Sequence, residues 1–230
     1  MMILGLTLIV LILSVMLHEV AHGFVAFLAG DDTARRNGRL TLNPFRHIDW
    51  VGSVILPLML MLSHSPVLFG WAKPVPVNAS HMRHPKWDIV WVSLAGPLMN
   101  AVLVVSAMFC LHSLVSVIGI DLYHTFMTQH SQVKENLILT SESGSVLLLI
   151  EAMIQVIVIN SVLALFNLIP IPPLDGSRIF IPFLPKSWEP TFQLFEKYGV
   201  ILIFVLLYFN VFDSWFREWM IYIMGLIWMV

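Results

Sequence analysis

From Ile89 to Ile120 the chain contains no Asp, Glu, Lys or Arg. A bilayer is crossed by about 20 mostly apolar helical residues. A helix that is apolar all round is otherwise found only deep inside a large protein. Here 230 residues, 58% apolar and 11% charged, leave too little polar surface to enclose such a run in water. Three more stretches repeat the pattern. Met1 to Gly30 has Glu19 as its only charge, Ser143 to Leu174 has only Glu151, and Tyr198 to Phe212 has none. The last is short and extends backwards through Phe192, Leu194 and Phe195. A mean hydropathy of +0.86 agrees with this pattern. The chain therefore reads as a polytopic protein whose solvent is lipid. A net charge of −2 excludes a general nucleic-acid binder. A single cysteine, Cys110, excludes an intramolecular disulfide framework and a cysteine-rich zinc site.

Charge placement orients the spans. Met1 to Gly30 lacks the basic start and small-residue cleavage site of a signal peptide, so it reads as a retained first helix. Val51 to Ala72 is interrupted by Pro57 and again at Ser63-His64-Ser65-Pro66. Arg35, Arg36, Arg39 and Arg46 precede it, and Lys73, Arg83 and Lys86 follow it. The positive-inside rule puts both clusters on the cytoplasmic side, which favours a re-entrant hairpin over a single crossing. The N-terminus is then outside, and Asp121 to Glu142, with one lysine and three acids, is an external loop. The segment with Arg178, Lys186 and Lys197 returns to the cytoplasm. Trp215 to Val230 either crosses or lies at the interface. No loop is long enough for a separate soluble domain, and no internal repeat occurs.

Two stretches read as extended. Arg39-Leu-Thr-Leu-Asn43 alternates polar and apolar residues, the strand period. Lys73-Pro-Val-Pro-Val-Asn78 has prolines at alternate positions, which confines it to an edge strand or polyproline geometry.

His18-Glu19-Val20-Ala21-His22 is an H-E-x-x-H motif inside the first span. Helical residues four apart share a face. Both imidazoles can then hold one zinc ion while Glu19 polarises a water. A merely polar patch accounts poorly for three ionisable groups in an apolar helix, where each is costly. Gly30 marks the inner end of that helix. The motif lies on the order of 15 Å from it at 1.5 Å per residue, within the membrane thickness and nearer the cytoplasm. Catalytic zinc takes a third protein ligand and keeps one position open. The candidate is Asp175, in Asn167-Leu-Ile-Pro-Ile-Pro-Pro-Leu-Asp175-Gly176. Pro170, Pro172 and Pro173 forbid a continuing helix there, and irregular backbone at membrane depth lines a cavity. From spacing alone two readings of Asp175 stand, a metal ligand or a turn-capping residue before Ser177-Arg178. Asn167 likewise reads either as an oxyanion donor or as an amide bonded to a neighbouring helix.

These motifs together resemble the site-2 protease family of intramembrane zinc metalloproteases, in its compact bacterial branch without an appended soluble domain. The resemblance runs from about Leu13 to Ile179. Its marks are His18-Glu19-x-x-His22, Gly30-Asp-Asp-Thr-Ala-Arg, Gly38-Arg-Leu-Thr-Leu-Asn-Pro44, His47-Ile-Asp49, Gly70-Trp-Ala-Lys-Pro-Val-Pro-Val-Asn78, Gly96-Pro-x-x-Asn100 and Asn167 through Asp175-Gly176. It implies that His18, His22 and Asp175 bind one zinc ion per chain. It implies that Glu19 is the catalytic acid/base and that Asn167 steadies the substrate or the oxyanion. After Phe180 nothing diagnostic remains.

The expected fold is an all-α polytopic membrane protein with a small membrane-associated β element. Three core helices carry the zinc site, joined by one or two C-terminal helices and a re-entrant segment. It reads as one membrane-embedded domain over 1–230: the zinc-binding helix (1–30), strands and re-entrant segment (31–88), the second core helix (89–120), the third with its unwound Asp-Gly end (143–179), and the C-terminal helices (180–230). The expected function is zinc-dependent hydrolysis of a peptide bond in transmembrane segments. The substrates are single-span membrane proteins, and the protein sits multi-pass in the bacterial inner membrane with its site towards the cytoplasm. An unwound substrate segment could pair with an edge strand, Lys73 to Asn78 or its neighbour Arg39 to Asn43. The competing readings are a membrane zinc-binding or transport protein and an inactive scaffold of the same fold. Asn100 reads as a helix-joining hydrogen bond beside the close-packing Gly96. Glu151 reads as an outer-leaflet polar contact. His47, His64, His81 and His84 read as scattered loop histidines rather than a second metal site.

Overall fold

A computed structural model describes residues 2–55, 58, 59, 62 and 73–229. Four of its helices are long and apolar enough to cross a membrane. They are α1 (Met2–Ala29), α2 (Pro85–Ile118), α5 (Gly144–Asn167) and α6, whose apolar part is Pro190–Tyr208 within Glu189–Tyr208. Between α2 and α5, the expected external loop folds into α3 (Ile120–Met127) and α4 (Ser131–Thr140). Tyr123, Phe126 and Ile138 supply the reason, since all three are buried. The last helix, α7 (Asp213–Trp228), has 16 residues, roughly 24 Å at 1.5 Å per residue. It is not among the four.

The helix ends are written in local chemistry. At the end of α1, Gly30 takes φ +110°, its N–H bonds the Phe27 carbonyl, and the Asp31 N–H reaches back to Ala26. This closure satisfies orphan carbonyls and needs a residue that tolerates positive φ. α2 opens on Pro85, with the Asp88 carboxylate accepting from the His84 N–H at 2.7 Å. Proline at the start of a helix has no N–H to leave unsatisfied. α5 stops at Asn167 and the prolines begin at Pro170, as ring sterics require. The chain turns and re-enters one helical turn, Asp175–Arg178. Gly176 makes this possible. A Cβ there would stand 2.7 Å from the Ile169 carbonyl oxygen and closer to that of Leu168.

The expected β element is not formed: among the described residues there is no strand. Leu40 to Leu42 are bends, and Lys73 to Asn78 run without regular structure. Alternation and proline spacing encode an extended chain, not a partner for it. The Lys73 N–H bonds the His47 carbonyl at 2.9 Å, and several other backbone groups of this stretch go to side chains. The Val75 N–H donates to Glu19 Oε2 at 2.8 Å and the Asn78 N–H to Asp31 Oδ2 at 2.6 Å. The Arg39 guanidinium donates to the carbonyls of Lys73 and Pro74. Pro74 and Pro76 have no N–H to offer. Most of the expected re-entrant segment, Val51 to Ala72, lies outside the described residues. Its described start, Trp50–Ile55, is a π-helical segment whose first N–H groups are capped by Asp49.

The contacts divide the chain into two units. One comprises Met1–Leu11, Ala101–Val162 and Asn210–Val230. Its core is Leu111, Tyr123, Phe126, Leu147, Ile150, Ile157 and Ile227, all fully buried. The other comprises Ile12–Asn100 and Leu163–Phe209. Its small apolar cluster is Ala26, Met82 and Val92. In this second unit Gly199 of α6 lies against the Pro172 backbone, with no room for a Cβ. Arg178 pairs with Glu196 at 2.6 Å. Both contacts brace the turn that carries Asp175.

Candidate metal centre

Helical periodicity sets the first two donors. His18 and His22 sit one turn apart on α1, with their Nε2 atoms 3.0 Å from each other. The helical turn after the prolines brings the third. Asp175 Oδ2 lies 3.0 Å from His18 Nε2 and 3.2 Å from His22 Nε2. The structure thus unites all three expected ligands, and the alternative of Asp175 as a mere turn residue does not account for its place between two imidazoles. Both histidines are buried, and the Asp175 side chain is 17% exposed, so the cluster opens on the aspartate side.

The far sides of the rings determine what the near sides can bind. His22 Nδ1 lies 2.6 Å from the Val92 carbonyl, which only accepts, so Nδ1 carries the proton. His18 Nδ1 faces Asn100 Oδ1 at 3.0 Å, again an acceptor. A neutral imidazole with its proton on Nδ1 presents a lone pair at Nε2. Two lone pairs and a carboxylate oxygen then converge, an arrangement that repels itself unless a cation or protons lie between. Donors around a tetrahedral zinc at about 2.0–2.1 Å stand roughly 3.3 Å apart, close to the separations found. Gly96 supplies the space. A Cβ there would stand 2.5 Å from His18 Nε2 and closer to His22 Nε2. Two imidazoles and one carboxylate form a donor set that zinc accepts, so the residues fit the ion.

Glu19, next in sequence to His18, is half-buried. Its Oε2 is held by the Val75 N–H. The Val75 side chain is buried against Gly23, one turn further along α1, where a Cβ would stand 2.8 Å from Val75 Cγ1. The Lys73–Asn78 segment is therefore strapped across the helix at the carboxylate. Its Val75 N–H is committed and does not offer itself to an added strand. At the other end of the strap, Asp31 is fully buried. It accepts from the N–H groups of Thr33 and Asn78 and from the Thr33 hydroxyl, and His81 Nδ1 lies 3.4 Å away. Burial raises this carboxyl, but those bonds prevail and lower it. Asp31, Asp32 and His81 have the spacing of a metal-binding group, yet Asp31 already spends its oxygens on these donors.

Asn167 donates from Nδ2 to the Leu163 carbonyl at 3.0 Å, within its own helix. His47 is buried, with Nε2 2.9 Å from the Thr41 carbonyl, and organises the loop rather than the centre. His64 lies outside the described residues, and His84 stands just before α2, with its N–H donating to Asp88. Sequence reading placed Asn100 in packing and passed over Val92. The usable signal was spacing. Val92, Gly96 and Asn100 are four apart on α2, so all three share the face that meets the imidazoles.

A Bacillus subtilis protein, YwhC, is 38% identical over 198 residues, which is 86% of this chain and 78% of that protein. Rip2 of Mycolicibacterium smegmatis is 28% identical over 207 residues, covering 90% of this chain and 68% of the relative. Rip2 of Mycobacterium tuberculosis is 26% identical over 205 residues, covering 89% and 67%. All three bear provisional names as zinc metalloproteases. No solved structure matches. Residues 6–209 match peptidase family M50. On a match of that extent, the chain belongs to peptidase family M50 and is a multi-pass membrane metalloprotease.

Proposed function

We propose that this protein is a zinc-dependent intramembrane endopeptidase that cleaves transmembrane segments of single-span membrane proteins. The observation that carries the reading is the convergence of His18, His22 and Asp175 beside Glu19, on a helix apolar enough to span a bilayer. A soluble peptidase has no use for such a helix around its centre. The two histidines and the aspartate hold the ion, which when bound supplies Lewis acidity to a water and to the scissile carbonyl. The Val75 N–H occupies one oxygen of Glu19 and leaves the other to receive a proton from water. Glu19 then returns the proton to the leaving amine, so the carboxylate ends as it began. The Val92 carbonyl and the Asn100 amide oxygen keep both imidazoles in the tautomer that ligates.

The finer architecture proposed is a three-helix core, α1, α2 and α5, around the centre. Arg35, Arg36, Arg39, Lys73, Arg83 and Lys86 flank the site end of the first two spans, which supports a site towards the cytoplasm of a bacterial inner membrane. The deciding experiment replaces Glu19 with Gln. Glu19→Gln is expected to keep zinc and to abolish cleavage, so membrane proteomics against the wild type should find single-span proteins accumulating uncut. Unchanged proteolysis in that variant refutes the reading.

A further inference from the structure

We infer that Asn100 is a positioning residue for the metal centre: its amide oxygen sets the tautomer and ring plane of His18. The inference rests on the zinc reading above and adds a residue to it. On one face of α2, three residues four apart each do one thing for the two ligands. The Val92 carbonyl takes the Nδ1 proton of His22, Gly96 leaves the space in which both Nε2 atoms sit, and Asn100 Oδ1 takes the Nδ1 proton of His18.

The other end of the Asn100 amide makes the case. Asn100 is 0% exposed, and its Nδ2 has no hydrogen-bond partner among the described residues. An unmet buried donor is costly, because it gives up its bond to water and gains none in return. An asparagine serving only to join helices would spend that donor on a neighbouring carbonyl. Among the described residues the one bond the side chain makes is to the ligand, and an apolar residue would otherwise fill the place at no such cost. The amide also has to face this way. Were Nδ2 turned to the ring, it would donate to Nδ1, the imidazole proton would move to Nε2, and the lone pair that binds the ion would be lost. The position therefore calls for an acceptor of this length, which asparagine and aspartate supply and leucine does not.

The test uses the full chain purified in detergent, loaded with Zn2+ and titrated with a chromogenic chelator. Asn100→Leu is expected to weaken zinc binding roughly 10–100-fold, the usual loss when such a partner is removed. Asn100→Asp keeps the acceptor and is expected to stay within about threefold of the wild type. Thermal unfolding is read in parallel. In Asn100→Leu the stabilisation produced by zinc shrinks more than the stability of the metal-free protein. If that variant does not fold, Asn100→Ala removes the acceptor without adding bulk and carries the same expectation. Wild-type affinity in Asn100→Leu or Asn100→Ala overturns the inference. So does an Asn100→Asp protein as weak as Asn100→Leu, which would mark a packing role. A wild-type chain that holds no zinc overturns the zinc reading and this inference with it, whereas a failure confined to the Asn100 variants leaves that reading standing.

Discussion

The two units of the molecule are held together by different means. In the one built from Met1–Leu11, Ala101–Val162 and Asn210–Val230, large apolar side chains interlock and buried polar atoms are few. Its notable polar feature is an ion pair, Lys134 Nζ to Glu151 Oε2 at 3.2 Å, with Gln155 on the second carboxylate oxygen. The unit built from Ile12–Asn100 and Leu163–Phe209 buries His18, His22, Asp31, Arg39, His47, Asn100 and Ser177. There the chain is irregular over long stretches, and charged or amide side chains take the hydrogen-bonding groups that a helix would satisfy internally. Dense apolar packing suits a unit of regular helices, which satisfy their own backbone groups. Polar bracing gives one whose backbone can leave the helix, and a metal centre needs that freedom to draw a third ligand from a turn.

Substitutions that strike one unit and spare the other would sharpen this contrast. The largest effect is expected at Lys134. Lys134→Met leaves Glu151 buried without its cation and should cost about 3–5 kcal/mol of unfolding free energy. Zinc affinity should not change, and a parallel fall in affinity would break the contrast. Adding Glu151→Gln should recover most of the loss, as a double-mutant cycle would read. Next is Val75→Pro, which removes the N–H on Glu19 while keeping an extended backbone. Turnover of a membrane-helix substrate should fall on the order of ten- to a hundredfold with zinc retained, since a misplaced base is costly. Val75→Ala keeps the N–H and should lose far less. Equal losses in the two variants would show that the side chain, not the amide, matters.

A smaller effect is expected from Asp31→Asn, which leaves donors of Thr33 or Asn78 unmet and should cost about 1–3 kcal/mol. Because the Asp31 carboxyl is lowered in the folded chain, its contribution is complete above the ordinary carboxylate pKa and fades as pH falls through the depressed value. The acid limb of a stability–pH profile should therefore flatten in Asp31→Asn. An unaltered limb would place the acid sensitivity elsewhere.

The candidate site was legible in uneven measure. His18 and His22 could be read because four residues on a helix always return to one face. The prolines at 170, 172 and 173 announced a broken span, and Asp175 stood just beyond it. Asn167 was readable only as an amide near that break, and the structure spends its Nδ2 within its own helix. Tyr123 and Phe126 had helical spacing, but the polar residues around them read as a loop. The strand expectation at Arg39 to Asn43 and Lys73 to Asn78 failed because a strand is defined by a partner, which no single stretch encodes.

What the sequence by itself determined is everything local. It set four apolar runs that only lipid can solvate, the helical register of two imidazoles, and the points where glycine and proline end a helix. Tertiary structure decided the meetings: a carboxylate arriving from 157 positions away, an amide and a carbonyl setting two ring tautomers, and a backbone N–H claiming the Glu19 carboxylate. The physical reason is range. Periodicity and ring sterics act within a turn or two of chain, whereas hydrogen bonds at about 3 Å between distant residues exist only once the whole chain has packed.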